Sequence, residues 1–412
     1  MNPERPKLHI ALDLGTTTLA GQLLALSGDV LAMAQAANPQ QAMGADILLR
    51  LHQAHAGEGR RLQSLLITGL RGLVAELLAL AGAHSADIIA VAAAGNPGMS
   101  CLLCDLPVAS LIFPPHKPPF RDLRHLPVRE LDLGLSAPLQ IFPLVSGFVG
   151  GDLVACLLAL DDVAPGTLLI DLGTNAELAL WDGCRWWTTS AAAGPAFEAG
   201  NITAGMVMGD GAVTDVRVSA DHLLLTVSGG VEARGLCGSG LAALVAAARQ
   251  GGLIDENGCI LTDDEVATNL GRYLLERAGS RAIRFHRSAS RELLLTQTDL
   301  RNFQLAKGAV RAGVEVLLER GGLKADDVAQ VLVTGALGSA LPVEVLKRVA
   351  LLPEPMLDKT SFIANGVLAG LQVYLTADDG RLRLDTLMTT LQPLPLSGTP
   401  VFERCFLSAL EF

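Results

Sequence analysis

Apolar and polar positions alternate along this chain with two periods, and each change of period marks an element. Leu8 to Leu14 is an almost unbroken apolar run with an aspartate, Asp13, near its end, which predicts a buried strand. After the turn Gly15 to Thr18, the segment Leu19 to Leu26 predicts a second strand pairing back on the first. Helical spacing follows over Gly44 to His55 and Leu62 to Ala81, and Ile88 to Ala93 predicts a strand ending at Gly95-Asn96-Pro97-Gly98. Residues Phe113 to Arg129, rich in Pro and His, predict an irregular loop. Phe148 to Leu160 predicts a helix, opening at Gly150-Gly151-Asp152, that bridges two lobes.

At Thr167 the pattern begins again. Leu168 to Asn175 repeats the apolar strand, the terminal aspartate and the Gly-Thr turn of Ile10 to Thr17, and Glu177 to Trp181 and Arg185 to Ala191 supply the following strands. Duplication of one lobe is the simplest account. It predicts an α/β fold of two lobes, residues 1–160 and 161–412, the second carrying an inserted β/helical subdomain. Within the second lobe, alternating segments over Ala212 to Val227 precede a glycine turn, Gly235 to Gly240, entering a helix over Leu241 to Arg249. A long helix near Asp299 to Arg320 precedes a strand, Val328 to Thr334, which ends at the tight turn Gly335-Ala336-Leu337-Gly338. Arg381 to Phe412, with recurring Leu, Phe and Val, reads as closing strands.

Bulk properties narrow the function. With 412 residues, 50% of them apolar, 18% charged and 43 glycines, the chain suits packed α/β layers and more than one core. The apolar stretch Ser64 to Ala81 is interrupted by Arg71 and Glu76, so a soluble protein without a membrane partner is expected. The N-terminus has no apolar h-region with a cleavage site, and the expected location is the cytoplasm. A net charge of −11 with no Lys/Arg block excludes nucleic acid as a partner. The 7 cysteines are scattered; Cys101 and Cys104 form the one CxxC and read as a buried structural pair, so no iron–sulfur cluster is expected in this chain. His52 and His55 read as a partly exposed polar face, and Cys237 as a small residue in a tight turn.

The chemistry lies in the repeated turns. A magnesium–polyphosphate needs backbone N–H groups and hydroxyls for its oxygens and carboxylates for the metal or its waters. Asp13 and Asp171 supply the carboxylates, directly or through water. Gly15, Thr16, Thr17 and Thr18, with Gly173, Thr174 and Asn175, supply backbone approach and donors. Two such turns facing each other predict an ATP site, with Gly335 and Gly338 as a further backbone loop against the nucleotide. Walker, Rossmann and zincin sequences are missing. Glu198 is the candidate to orient an attacking water. Gln304, Lys307 and Arg311 share one helix face and are candidates for the adenine or ribose.

These turns together resemble the actin, sugar kinase and heat-shock chaperone ATPase superfamily, whose two ribonuclease-H-like lobes close on MgATP in a nucleotide cleft. More closely, Ala11 to Thr18, Gly95-Asn96 with Met99, Phe148 to Asp152, Asp171 to Asn175 with Glu177, Ala193 to Glu198, Cys237 to Gly240 and Gln304 to Lys307 resemble the reductive activators of corrinoid proteins. The resemblance implies an ATPase that returns a corrinoid protein from Co(II) to Co(I). Its partner would be a corrinoid methyltransferase or a cobalamin-dependent methionine synthase. It further implies that Gly335 and Gly338 are the adenosine turn and that Asn365-Gly366 is a hinge between lobes. The adenosine turn departs from the family's usual Gly-Gly-Phe-Gly. The iron–sulfur domain carried by many members does not precede Leu8, which implies a separate electron donor. The competing readings are a small-molecule kinase of the same superfamily and an ATP-gated scaffold, and the apolar composition permits a homodimer.

Overall fold

The computed structural model describes residues 6–127, 131–277, 279–335, 341–396 and 398–412. The chain divides into two compact units. The first comprises Met1–Val163, Cys184–Thr188 and Asn365–Pro393, and the second Ala164–Gly183, Thr189–Ala364 and Leu394–Phe412. Each is an α/β unit with a ribonuclease-H-like sheet.

In the first unit, β1 (Leu8–Leu14), β2 (Thr18–Ala25) and β3 (Val30–Ala37) form an antiparallel meander, and β4 (Ile88–Gly95) lies parallel to β1 on its other side. Two short strands, β5 (Arg124–Leu126) and β6 (Leu139–Ile141), complete the order β3-β2-β1-β4-β6-β5. Leu8, Ile10, Leu12 and Leu14 are all buried, as expected of a central strand covered on both faces. The Gly59–Ala81 helix buries Leu62, Leu66, Leu70, Leu73, Val74 and Leu77 in one stripe and stops at Gly82, a left-handed C-cap. The helical run Ile47–Ala81 is long and apolar enough to cross a membrane by length and composition, yet that stripe lies in the core of this unit. The predicted bridging helix is Gly151–Leu158. It sits within the first unit, packed on a later helix, Gly366–Thr376.

In the second sheet, β7 (Thr167–Leu172), β8 (Ala176–Trp181) and β9 (Trp186–Ala191) repeat the meander, and β16 (Gln330–Gly335) lies parallel to β7. With β17 (Thr360–Phe362), and with the short strand Leu391–Pro393 beside β9, the sheet has six strands, of which β17-β16-β7-β8-β9 repeat the arrangement β6-β4-β1-β2-β3. Between the meander and β16 lie two three-stranded sheets. One contains β10 (Ala212–Ser219), β11 (His222–Val227) and β12 (Gly235–Leu236), the other β13 (Leu274–Arg277), β14 (Ser280–Arg287) and β15 (Glu292–Thr296). Two helices also belong to this insertion, Gly238–Gln250 and the long Gln297–Gly321.

The closing strands expected over Arg381 to Phe412 are a correction. The segment forms two helices, Gly380–Thr390 and Pro400–Ser408, separated by a three-residue strand, Leu391–Pro393. Phe402 and Phe406 are four apart and stack, and Thr399 caps the last helix, so the apolar recurrence has the helical period.

Candidate functional site

The two aspartates stand at equivalent positions. Asp13, next to last on β1, is flanked by Ala20 of β2 and Ala94 of β4; Asp171, next to last on β7, is flanked by Glu177 of β8 and Thr334 of β16. Strand pairing thus holds each carboxylate at the end of a buried central strand, where the backbone cannot slide without losing its whole register.

In the first unit the turn Gly15 to Thr18 is tied down from three sides. Asn38 donates from Nδ2 to Gly15 O at 2.9 Å and Gln41 from Nε2 to Thr17 O at 2.8 Å, while Asn96 Nδ2 donates to Thr16 Oγ1 at 3.0 Å. A Cβ on Gly15 would meet Thr18 O at 2.3 Å, so the turn can be this tight only with glycine. Asn96 also caps the Pro97–Leu103 helix by accepting from Met99 N at 2.9 Å, which joins β4's end to the turn. Asp152 begins the neighbouring helix, whose Gly150 lies so close to β4 that a Cβ would reach Gly95 O at 2.5 Å. Burial pushes the Asp152 carboxyl up to about 6, against the Leu153 N–H that it accepts at 2.8 Å. The Phe148 to Asp152 motif was legible in the sequence; the packing of its helix start against Gly95 and Asn96 is a product of the fold.

In the second unit Gly173 N donates to Asn175 O at 2.9 Å, closing the turn. Thr174 Oγ1 donates to Glu198 Oε2 at 2.8 Å, so Glu198, on the single turn Pro195–Glu198, stands directly on the phosphate-type loop. Ser190 Oγ donates to Glu177 Oε1 at 3.1 Å. Gly335 has φ of +94°, and a Cβ there would sit 2.4 Å from Asp171 Oδ1, so β16 can approach the aspartate only through glycine. Gly338 lies outside the described residues.

Gln304 and Lys307 are elsewhere engaged. Both are buried in the long helix. Gln304 Nε2 donates to Leu410 O at 2.8 Å and Asn257 O at 3.1 Å, and the Lys307 ammonium donates to Glu411 O and lies 4.7 Å from the Phe412 ring. They hold the chain's last residues, and the polar helix face predicted from their spacing is an internal one. Arg311 pairs with Glu315 at 3.0 Å.

Cys101 is buried and its thiol is pushed up to about 12, which suits the structural role predicted for it. Cys237 is buried, with its sulfur 3.2 Å from Val213 O. Among the described residues no group of three or more His, Cys, Asp or Glu is placed to hold a metal ion. A cavity of about 360 Å³ in the first unit, lined by Arg121, Val145, Arg381, Leu384 and Met388 among others, contains none of the predicted site residues.

Comparison with known proteins adds the context. A family model described as the C-terminal domain of RACo, the ASKHA domain, matches residues 166–412, and one described as the RACo middle region matches residues 8–161. The corrinoid activation enzyme RamQ of Eubacterium limosum is 29% identical over 389 residues, covering 91% of this chain and 65% of RamQ. The Co(II) methylated amine-specific corrinoid protein reductase of Methanosarcina barkeri is 28% identical over 265 residues, 57% of this chain and 44% of that protein. The chain therefore spans less than two thirds of the length of either relative. A solved structure of a reductive activator for a corrinoid, iron–sulfur protein superposes with a TM-score of 0.89 at 26% identity, over 100% of this chain and 67% of the other.

Proposed function

The chain belongs to the RACo family, carrying its middle region and its C-terminal ASKHA domain, and from that premise we propose that it is an ATP-hydrolysing activator that returns a corrinoid protein from Co(II) to Co(I). The observation that carries the reading is the pair of Asp-Leu-Gly-Thr turns held at the same register in two sheets of the same strand order. The acceptor would be the corrinoid domain of a methyltransferase or of a cobalamin-dependent methionine synthase, met in the cytoplasm. The electron would come from a separate donor.

The donor set fits a magnesium–nucleotide. Each turn presents a carboxylate, hydroxyls and backbone N–H groups, the hard oxygen ligands and anion donors that such a ligand requires. Bound magnesium would neutralise charge on the phosphate chain and polarise the bond to be cleaved. On this reading Asp13 and Asp171 hold the metal through its waters. Thr16, Thr17 and Thr18, with Gly15 closing their turn, and Thr174 and Asn175, with Gly173, donate to phosphate oxygens. Gly335 and Gly338 would meet the adenosine. Glu198, fixed by its bond from Thr174, is the carboxylate that orients the attacking water and accepts its proton. Nucleotide turnover then drives cobalt reduction only so far as the ATP-bound and ADP-bound proteins differ in affinity for the two cobalt states.

The test is Co(I) formation followed by absorbance, with the protein, a Co(II) corrinoid methyltransferase, a reductant and MgATP in one cuvette. Co(I) is expected only with ATP, and Asp171→Ala should lower its rate by at least about a hundredfold, the scale of losing a preorganised electrostatic group. Cobalt that stays Co(II) while ATP binds would refute the activator reading.

A further inference from the structure

A row of aromatic rings in the second unit ends at Glu198. Phe197 and Phe303 are each about 1% exposed and meet edge to face, with ring centroids 6.0 Å apart. Phe303 in turn lies nearly parallel to Phe412, centroids 6.4 Å apart and planes 16° apart. Phe412 is held from several sides. Its N–H donates to Glu256 O at 2.9 Å, Lys307 Nζ lies 4.7 Å and Arg249 Cζ 5.7 Å from its ring centroid, and Gln304 and Lys307 bond the carbonyls of Leu410 and Glu411. At the other end of the row the Pro195–Glu198 turn is flanked by left-handed residues, the one after it a strained alanine. Gly194 has φ of +73°, and Ala199 and Asn201 are non-glycine residues at +59° and +57°. Such a turn keeps its shape only where its surroundings over-determine it.

We infer that Phe412 is a positioning residue for Glu198: its ring, acting through Phe303 and Phe197, holds the Pro195–Glu198 turn so that the Glu198 carboxylate meets Thr174. The inference rests on the role proposed for Glu198, and its test has one arm that does not depend on turnover. The backbone bonds Ala199 N–Ala196 O, 2.9 Å, and Gly200 N–Pro195 O, 2.8 Å, report on the turn. Amide hydrogen exchange on the full chain would be compared for wild type, Phe412→Ala, Phe412→Tyr and, as a control outside the row, Phe402→Ala.

Phe412→Ala should speed exchange at Ala199 and Gly200 about tenfold while amides of the first unit keep their rates, and Phe412→Tyr should restore protection. In MgATP hydrolysis the same variant should lose about tenfold in kcat with KM within about twofold, the pattern of a misplaced catalytic group, and Tyr should recover it. Phe402→Ala should leave both readouts at wild-type values. Unchanged exchange at the turn, or an increase spread evenly over the second unit, would overturn the inference. If the wild type fails to hydrolyse ATP, the proposed function falls and the exchange result still decides the role of Phe412.

Discussion

Lys307 shows how far a residue's sequence neighbourhood can mislead about its surroundings. Its spacing from Gln304 and Arg311 describes a polar helix face, yet the side chain is 0% exposed, and burial, with Arg311 and Arg249 nearby, pulls its pKa down to about 7 from 10.5. The sign of the consequence follows from proton counting. Between pH 7 and 10.5 the unfolded chain holds a proton here that the folded chain has released, so stability rises with pH across that window, by up to about 1.4 kcal/mol per unit. Below pH 7 the destabilisation is fully present. Urea unfolding at intervals from pH 7 to 9.5 should show this rise, and Lys307→Met should remove it; equal slopes in the two proteins would mean that Lys307 titrates normally. Thr174 and Glu198 make the opposite case. Both were readable as candidates, but 24 residues of chain separate them, and only the folded turn brings hydroxyl and carboxylate to 2.8 Å.

At the scale of elements, the strands were the most legible, because a buried central strand writes its apolar run directly into the sequence. Helix ends were less legible: the long helix, read from near Asp299, starts earlier, and the Thr399 cap did not keep the last helix from being read as strand. The long helix begins at Thr296, whose hydroxyl donates to Asp299 Oδ2 at 2.8 Å, and the same carboxylate receives Thr296 N at 2.8 Å; its other oxygen accepts Thr203 N at 2.7 Å. Asp299 is 2% exposed, so its removal leaves buried donors that water cannot satisfy. Asp299→Ala should therefore cost about 2–4 kcal/mol in urea denaturation, more than an exposed cap, whose loss costs about 1. A cost under about 1 kcal/mol would show that solvent or a neighbouring group takes over those donors. The C-terminal segment was read wrongly for an equally physical reason: with leucines and phenylalanines dense on both periods, strand and helix patterns coincide, and packing against the long helix decides between them.

For the whole molecule, a ligand that binds only the folded chain raises its unfolding free energy by mass action. Thus MgATP at about a hundred times its Kd should add about 2.7 kcal/mol and raise Tm, while Asp13→Ala and Asp171→Ala should each diminish the gain. Identical melting with and without MgATP would remove the basis for a nucleotide site. The sequence alone determined the duplicated strand-turn-strand unit, its two aspartates and the α/β class, since each follows from local periodicity and turn chemistry repeated along the chain. Only the tertiary structure decided that Gly150 packs against Gly95 and Asn96, that Glu198 stands on the second turn, and that Gln304 and Lys307 face inward to hold Leu410 and Glu411. Those relations join segments far apart in sequence, and their energies come from burial and hydrogen bonding that no local pattern encodes.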